Sequence, residues 1–173
     1  LVAVDLFLVH FRFNPFLAPD RHYPDTPATR VLQAEPAPTR VLPVPTQISP
    51  NMITVYELED PRIYDAVIYG PYSEFLSRLG WSSNWSVQQE VNLRLCSLAG
   101  IRFIWAEPDW AFEAAEGAGP DPERGYEVFY QDENSTIYEN HDALPHAYVS
   151  HQWRVVSSPE EAYRSRQPVY QTV

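Results

Sequence analysis

Residues 86–105 read SVQQEVNLRLCSLAGIRFIW, and the fold turns on how this stretch is divided. Ser86 and Gln89 have the spacing of a capping box, which satisfies the free N–H groups of a helix start. Val87, Val91, Leu95 and Leu98 then recur on one helical face. The spacing predicts a helix over Val87–Ala99 that ends at Gly100, the residue type that tolerates a left-handed stop. Ile101–Trp105 follows as a short apolar run of strand type. A helix returning almost without a loop onto a strand predicts a mixed architecture. Cys96 falls to the side of the apolar stripe and reads as a half-buried packing residue, with no base beside it to make it a nucleophile.

Downstream, residues 106–125 are acidic and rich in Gly, Ala and Pro, and read as a loop. Tyr126–Gln131 and Ser135–Glu139 alternate around Asp132-Glu133-Asn134, the pattern of a hairpin. Ala147–Val156 reads as a further strand. Ser158 and Pro159 open a last helix as cap and first residue, and Val169–Val173 reads as an edge strand.

Upstream, Asp60-Pro61 has the form of a helix start, with Ile63, Tyr64, Val67 and Ile68 at helical spacing and Gly70 as the stop. Pro71 opens a second short helix, with Tyr72, Phe75, Leu76 and Leu79 on one face and Gly80 at its end. Before these, residues 15–50 hold nine of the 17 prolines. Proline removes donors and fixes φ, so this region is expected to be extended and non-helical. Its repeated Thr29-Arg30-Val31-Leu32 and Thr39-Arg40-Val41-Leu42 read as two edge strands. The order predicts an α+β fold. It has a mixed or antiparallel sheet with helices packed on one face, and a proline-rich extended N-terminal arm over 1–50 on a body over 51–173. The whole is one compact domain by length.

Composition excludes some functions. The net charge is −11, and all 12 basic residues are arginine. Nucleic-acid binding needs a basic footprint, which this balance does not supply. One cysteine excludes an intramolecular disulfide and a zinc ribbon. The opening LVAVDLFLVHF is apolar but lacks the basic region and cleavage site of a signal peptide. It is expected to lie just after a hydrophobic, membrane-embedded segment.

Three histidines, His141, His146 and His151, recur every five residues beside Glu139 and Asp142. On a strand, His146 and His151 point to opposite faces, and neither H-E-x-x-H nor a cysteine partner is present, so no metal site is expected. Asn140, Asp142 and Pro145 instead mark a turn. The acidic loop lacks a calcium-loop pattern and singles out no pair of carboxylates for glycoside hydrolysis. No G-x-S-x-G, P-loop or dinucleotide fingerprint occurs, and no cofactor is expected. Asn84-Trp85-Ser86 and Asn134-Ser135-Thr136 match glycosylation sequons. Trp105 and Trp153 read as core, whereas Trp110, Trp81 and Trp85 are the candidates for exposed platforms that stack on sugar.

Several stretches resemble the soluble extracytoplasmic domain of YfhO-type bacterial membrane proteins, a polytopic family related to membrane glycosyltransferases that use lipid-linked sugar donors. They are Tyr23-Pro24-Asp25-Thr26-Pro27, Pro50-Asn51 ahead of Tyr64-Asp65, Asn92–Ile104, Tyr138-Glu139-Asn140 with Ala143-Leu144-Pro145-His146-Ala147-Tyr148, and Ser157–Ala162. They run in order over nearly the whole chain, and the Tyr-Glu-Asn…Ala-Leu-Pro-x-Ala-Tyr string is the most specific. The chain departs from the family at His141 and His146, where proline and arginine are usual, so those histidines are not expected to form a shared site. The resemblance implies that the catalytic carboxylate lies elsewhere, in a loop between membrane helices. This domain is then expected to be inert alone at the outer face of the bacterial cell membrane. Its implied partners are its own transmembrane helices and a cell-envelope glycan acceptor. A purely structural interaction module and, less well supported, a free-standing hydrolase are the alternatives.

Overall fold

In the computed structural model, which describes residues 2–10, 17–44, 48–81, 91–108, 110, 125–151 and 155–164, six α-helices and four strands alternate irregularly. The order is α1 (Val2–His10), α2 (Pro19–His22), α3 (Pro27–Gln33), β1 (Val41–Val44) and a 3-10 turn (Met52–Tyr56). It continues with α4 (Gly70–Leu79), α5 (Leu93–Leu98), β2 (Phe103–Ala106), β3 (Tyr126–Gln131), β4 (Thr136–Asn140) and α6 (Pro159–Arg164). The fold is α+β around a four-stranded mixed sheet ordered β1-β2-β4-β3. β1 and β2 run parallel, and the other pairs are antiparallel.

Strand alternation divides the core in two. Leu42 and Val44 of β1, Ile104 and Ala106 of β2 and Tyr138 of β4 face α4 and α5. Val41, Phe103 and Ile137 face α3, the 3-10 turn and Leu58. Helices were expected on one face; α4 and α5 occupy it, and α3 with the 3-10 turn covers the other. Phe103, Ile104 and Ile137 are fully buried, and each such side chain contributes about 1.5–3 kcal/mol through burial.

The proline-dense region is not uniformly extended. Thr26 accepts from the backbone N–H of Thr29 (3.2 Å), and the Thr29 hydroxyl accepts from the backbone N–H of Thr26 (2.9 Å). With Pro27 in the first turn, this reciprocal cap starts α3. Val31 and Leu32 therefore lie in a helix and not in an edge strand. The second repeat does form a strand, β1, whose outer side is joined by the segment after the 3-10 turn. There the Val41 N–H donates to the Glu59 carbonyl at 2.9 Å, and the Glu59 N–H donates to the Thr39 carbonyl at 2.9 Å.

No helix forms at Asp60-Pro61. The Asp60 carboxylate accepts from the backbone N–H of Asn51 and Arg62 and from the Arg62 guanidinium, so it is committed before it can cap. Gly70 begins α4 where it was expected to end a helix, and α4 closes at Gly80 with φ +108°. α5 begins only at Leu93, with the Asn92 side chain accepting from the Leu95 N–H; Val91 precedes it in non-helical chain. Val87 and the Ser86–Gln89 box lie outside the described residues. The buried face of α5 carries Leu95 and Cys96, and Leu98 is exposed, so the stripe is rotated from the one expected.

The hairpin of β3 and β4 forms as expected, with an irregularity between Val128 and Tyr130 that brings both Phe129 and Tyr130 to the second core. Within Ala147–Val156, the described residues are not a strand. They follow a loop pinned at Leu144, whose N–H donates to the Ser97 carbonyl (2.9 Å). Ser158 accepts from the Glu161 N–H and opens α6; Val169–Val173 lies outside the described residues.

Candidate functional site

The C-terminal ends of the parallel strands β1 and β2 open into a cleft of about 400 Å³. That size lies within the roughly 300–1,000 Å³ of small-molecule sites. Tyr23 and Pro24, which follow α2, line one side, and Tyr56 closes the 3-10 turn on another. Trp105 of β2 supplies a third wall, and Asn134 and Ser135 of the hairpin turn complete the rim.

Two of the three rings are tied down at their polar ends. The Tyr56 hydroxyl donates to the Pro24 carbonyl at 3.0 Å. The Trp105 indole N–H donates to the Ser135 hydroxyl at 3.0 Å. Each ring therefore spends its donor on the scaffold and presents an apolar body. Burial pushes the Tyr56 hydroxyl above its ordinary value, and the charges of Asp25 and Tyr23 add to this, so it stays protonated at neutral pH. Among the described residues, Glu107 and His22 are the ionisable side chains of the lining apart from Tyr23 and Tyr56, and no arginine contributes.

The residues singled out from sequence are placed elsewhere. Trp81 is buried in the α4–α5 core with the Arg62 guanidinium 5.4 Å from its ring centre, so it cannot serve as an exposed platform. Trp110 is half-buried and packs against the same core, its backbone N–H donating to the Glu107 carbonyl at 3.0 Å. Trp85 lies outside the described residues.

The three histidines diverge. His141 lies 3.5 Å from the Glu127 carboxylate, His146 donates to Glu59 at 2.6 Å, and His151 is exposed. Among the described residues, no three His, Cys, Asp or Glu side chains come together as metal ligands.

The His146–Glu59 contact continues to Arg40, whose guanidinium donates to Glu59 at 3.0 Å and to the Ala99 carbonyl. The hydrogen bond from His146 lowers the Glu59 carboxyl below its ordinary value, and Arg40 adds to this. This group fastens the 141–151 loop to the edge of β1.

The most specific sequence string is structural. Glu139 accepts from Arg102 at 2.9 Å, and the Asn140 amide donates to the Ile101 carbonyl at 3.0 Å and the Ser97 hydroxyl at 3.1 Å. Asn140 is buried, and this pairing locks the end of β4 onto the α5–β2 junction.

Tyr23, Tyr56 and Trp105 were not predicted as a site, because they are far apart in the chain and line one cleft only in the folded structure. Tyr23-Pro24 was noted only as part of the family resemblance. No protein-family model, curated protein or solved structure matches this chain.

Proposed function

We propose that this chain is a non-catalytic extracytoplasmic accessory domain of a multi-pass, glycosyltransferase-like bacterial membrane protein, seated on that protein's own membrane helices and engaging a cell-envelope glycan. The observation that carries the reading is α1. Leu6, Phe7 and Leu8 are 53%, 66% and 70% exposed, and Val2 and Val4 are exposed with them. At helical spacing these side chains surround the axis, and only Asp5 interrupts them. A helix docking on water-facing protein shows a stripe; one that is apolar all round belongs in an apolar medium. At its C-terminal end the His10 ring donates to the Leu6 carbonyl at 2.8 Å, a polar finish to the apolar turn. No helix among the described residues is long and apolar enough to cross a membrane.

The test is partition of the full chain onto zwitterionic phospholipid vesicles. Co-sedimentation that disappears in Leu6→Glu/Phe7→Glu supports the reading, and no co-sedimentation of the unaltered chain overturns its membrane part. Reading the coding frame upstream of Leu1 tests the larger assignment. A series of hydrophobic spans supports it, and a signal peptide alone overturns it.

A further inference from the structure

The geometry points to the cleft bounded by Tyr23, Tyr56 and Trp105 as a binding site for the pyranose rings of a neutral glycan. A sugar ring has an apolar C–H face and a polar rim, so its site needs flat apolar walls with hydrogen-bonding groups beside them. The cleft has both. Its three rings come from separate elements, and Tyr56 and Trp105 are anchored by their own donors, so little side-chain freedom is lost when a ligand stacks. Ser49, Asn134 and Glu107 supply acceptors and donors on the rim.

The charge pattern selects among glycans. With Glu107 in the lining, His22 as the one basic side chain among the described lining residues and a chain net charge of −11, an acidic polymer meets repulsion with no permanent cation to offset it. A neutral or N-acetylated sugar meets no such penalty. The choice of glycan over another planar ligand rests on the envelope setting proposed above, whereas the location of the site rests on the cleft alone.

The experiment is titration of the full chain with chitotetraose, cellotetraose and tetragalacturonate, followed by tryptophan fluorescence and calorimetry. A neutral oligosaccharide is expected to saturate the site and tetragalacturonate to bind at least about tenfold more weakly. Tyr23→Ala, at an exposed ring whose loss leaves the core intact, is expected to weaken binding by about tenfold, as is Trp105→Ala. Circular dichroism of both variants reports folding. If Trp105→Ala is unfolded, Tyr23→Ala alone decides. No binding of either neutral oligosaccharide, equal binding of the acidic one, or binding unchanged in folded Tyr23→Ala overturns the inference. Vesicle partition separates the two readings. In the unaltered chain, partition without binding of a neutral oligosaccharide overturns only the cleft, and binding without partition overturns only the membrane assignment.

Discussion

Arg62 and Asp60 form an ion pair with both side chains fully excluded from solvent. The guanidinium NH2 lies 2.8 Å from one carboxylate oxygen and Nε lies 2.9 Å from the other. The same guanidinium stands over Trp81 and donates to the Pro43 carbonyl at 3.3 Å, linking the 60–62 segment to β1 and to the α4–α5 core. Removing one partner leaves the other charged and unpaired in an apolar setting. Asp60→Asn is therefore expected to destabilise the fold by about 3–5 kcal/mol. Asp60→Asn combined with Arg62→Met is expected to cost less than Asp60→Asn alone, because the stranded charge is gone and the Asn oxygen still accepts from one of the two backbone N–H groups. Urea denaturation of the three proteins checks the order.

Gly100 has φ +65°, and a Cβ there would lie 2.7 Å from the Leu144 carbonyl oxygen. The backbone term and the collision both oppose a side chain. Gly100→Ala is expected to cost roughly 2–3 kcal/mol. Gly70 has no neighbour within 4 Å of such a Cβ, and Gly70→Ala is expected to stay within about 1 kcal/mol of the parent. Thermal unfolding distinguishes the two.

Glu59 links stability to pH. Its folded carboxyl titrates below the ordinary 4.5, first because His146 donates to it and then because Arg40 is close. A lowered carboxyl stabilises the fold fully above 4.5, and that contribution is lost as pH falls through the folded value. Glu59→Gln is therefore expected to be less stable than the parent at neutral pH, with the difference shrinking in acid. Glu59 is 41% exposed, so screening holds the effect below about 1 kcal/mol. Denaturation midpoints above and below the transition measure it.

Cys96 is fully buried, and burial pushes its thiol up to about 12. A thiol reagent at mildly alkaline pH is expected to leave it unmodified in the folded chain and to label it completely in denaturant. Labelling of the native protein at the rate of a free thiol would restore Cys96 as a candidate nucleophile.

What the sequence made legible was local. The β3–β4 hairpin, α4 from Pro71 to Gly80 and the Ser158 start of α6 each depend on neighbours a few residues away. α3 was missed because the number of prolines outweighed the local signal of Thr26-Pro27 ahead of Thr29, although proline is favoured at a helix start. The Asp60-Pro61 pattern predicts a helix, but the carboxylate is committed to the Arg62 side chain and to the backbone of Asn51 and Arg62. Residues 147–156 read as a strand, yet those described are irregular, and 147–151 follow a loop held at Leu144 and His146. The cleft depends on strand order, which single-sequence patterns do not encode. Tryptophan is a natural platform residue, but Trp81 packs in the apolar α4–α5 core beside Arg62, and two of the three cleft rings are tyrosines.

The outer margin of β1 leaves few backbone groups for another chain among the described residues. The Val41 N–H is taken by Glu59, Pro43 has no N–H, and the Pro43 carbonyl is taken by Arg62. The opposite margin, β3, is distorted between Val128 and Tyr130. A sheet recruits foreign strands through flat rows of unpaired amides; at β1 the row is broken by Pro43 and occupied by Glu59, and at β3 it is not flat. The domain is thus guarded against edge-to-edge aggregation, with Asp60–Arg62 a part of that guard as well as of the core.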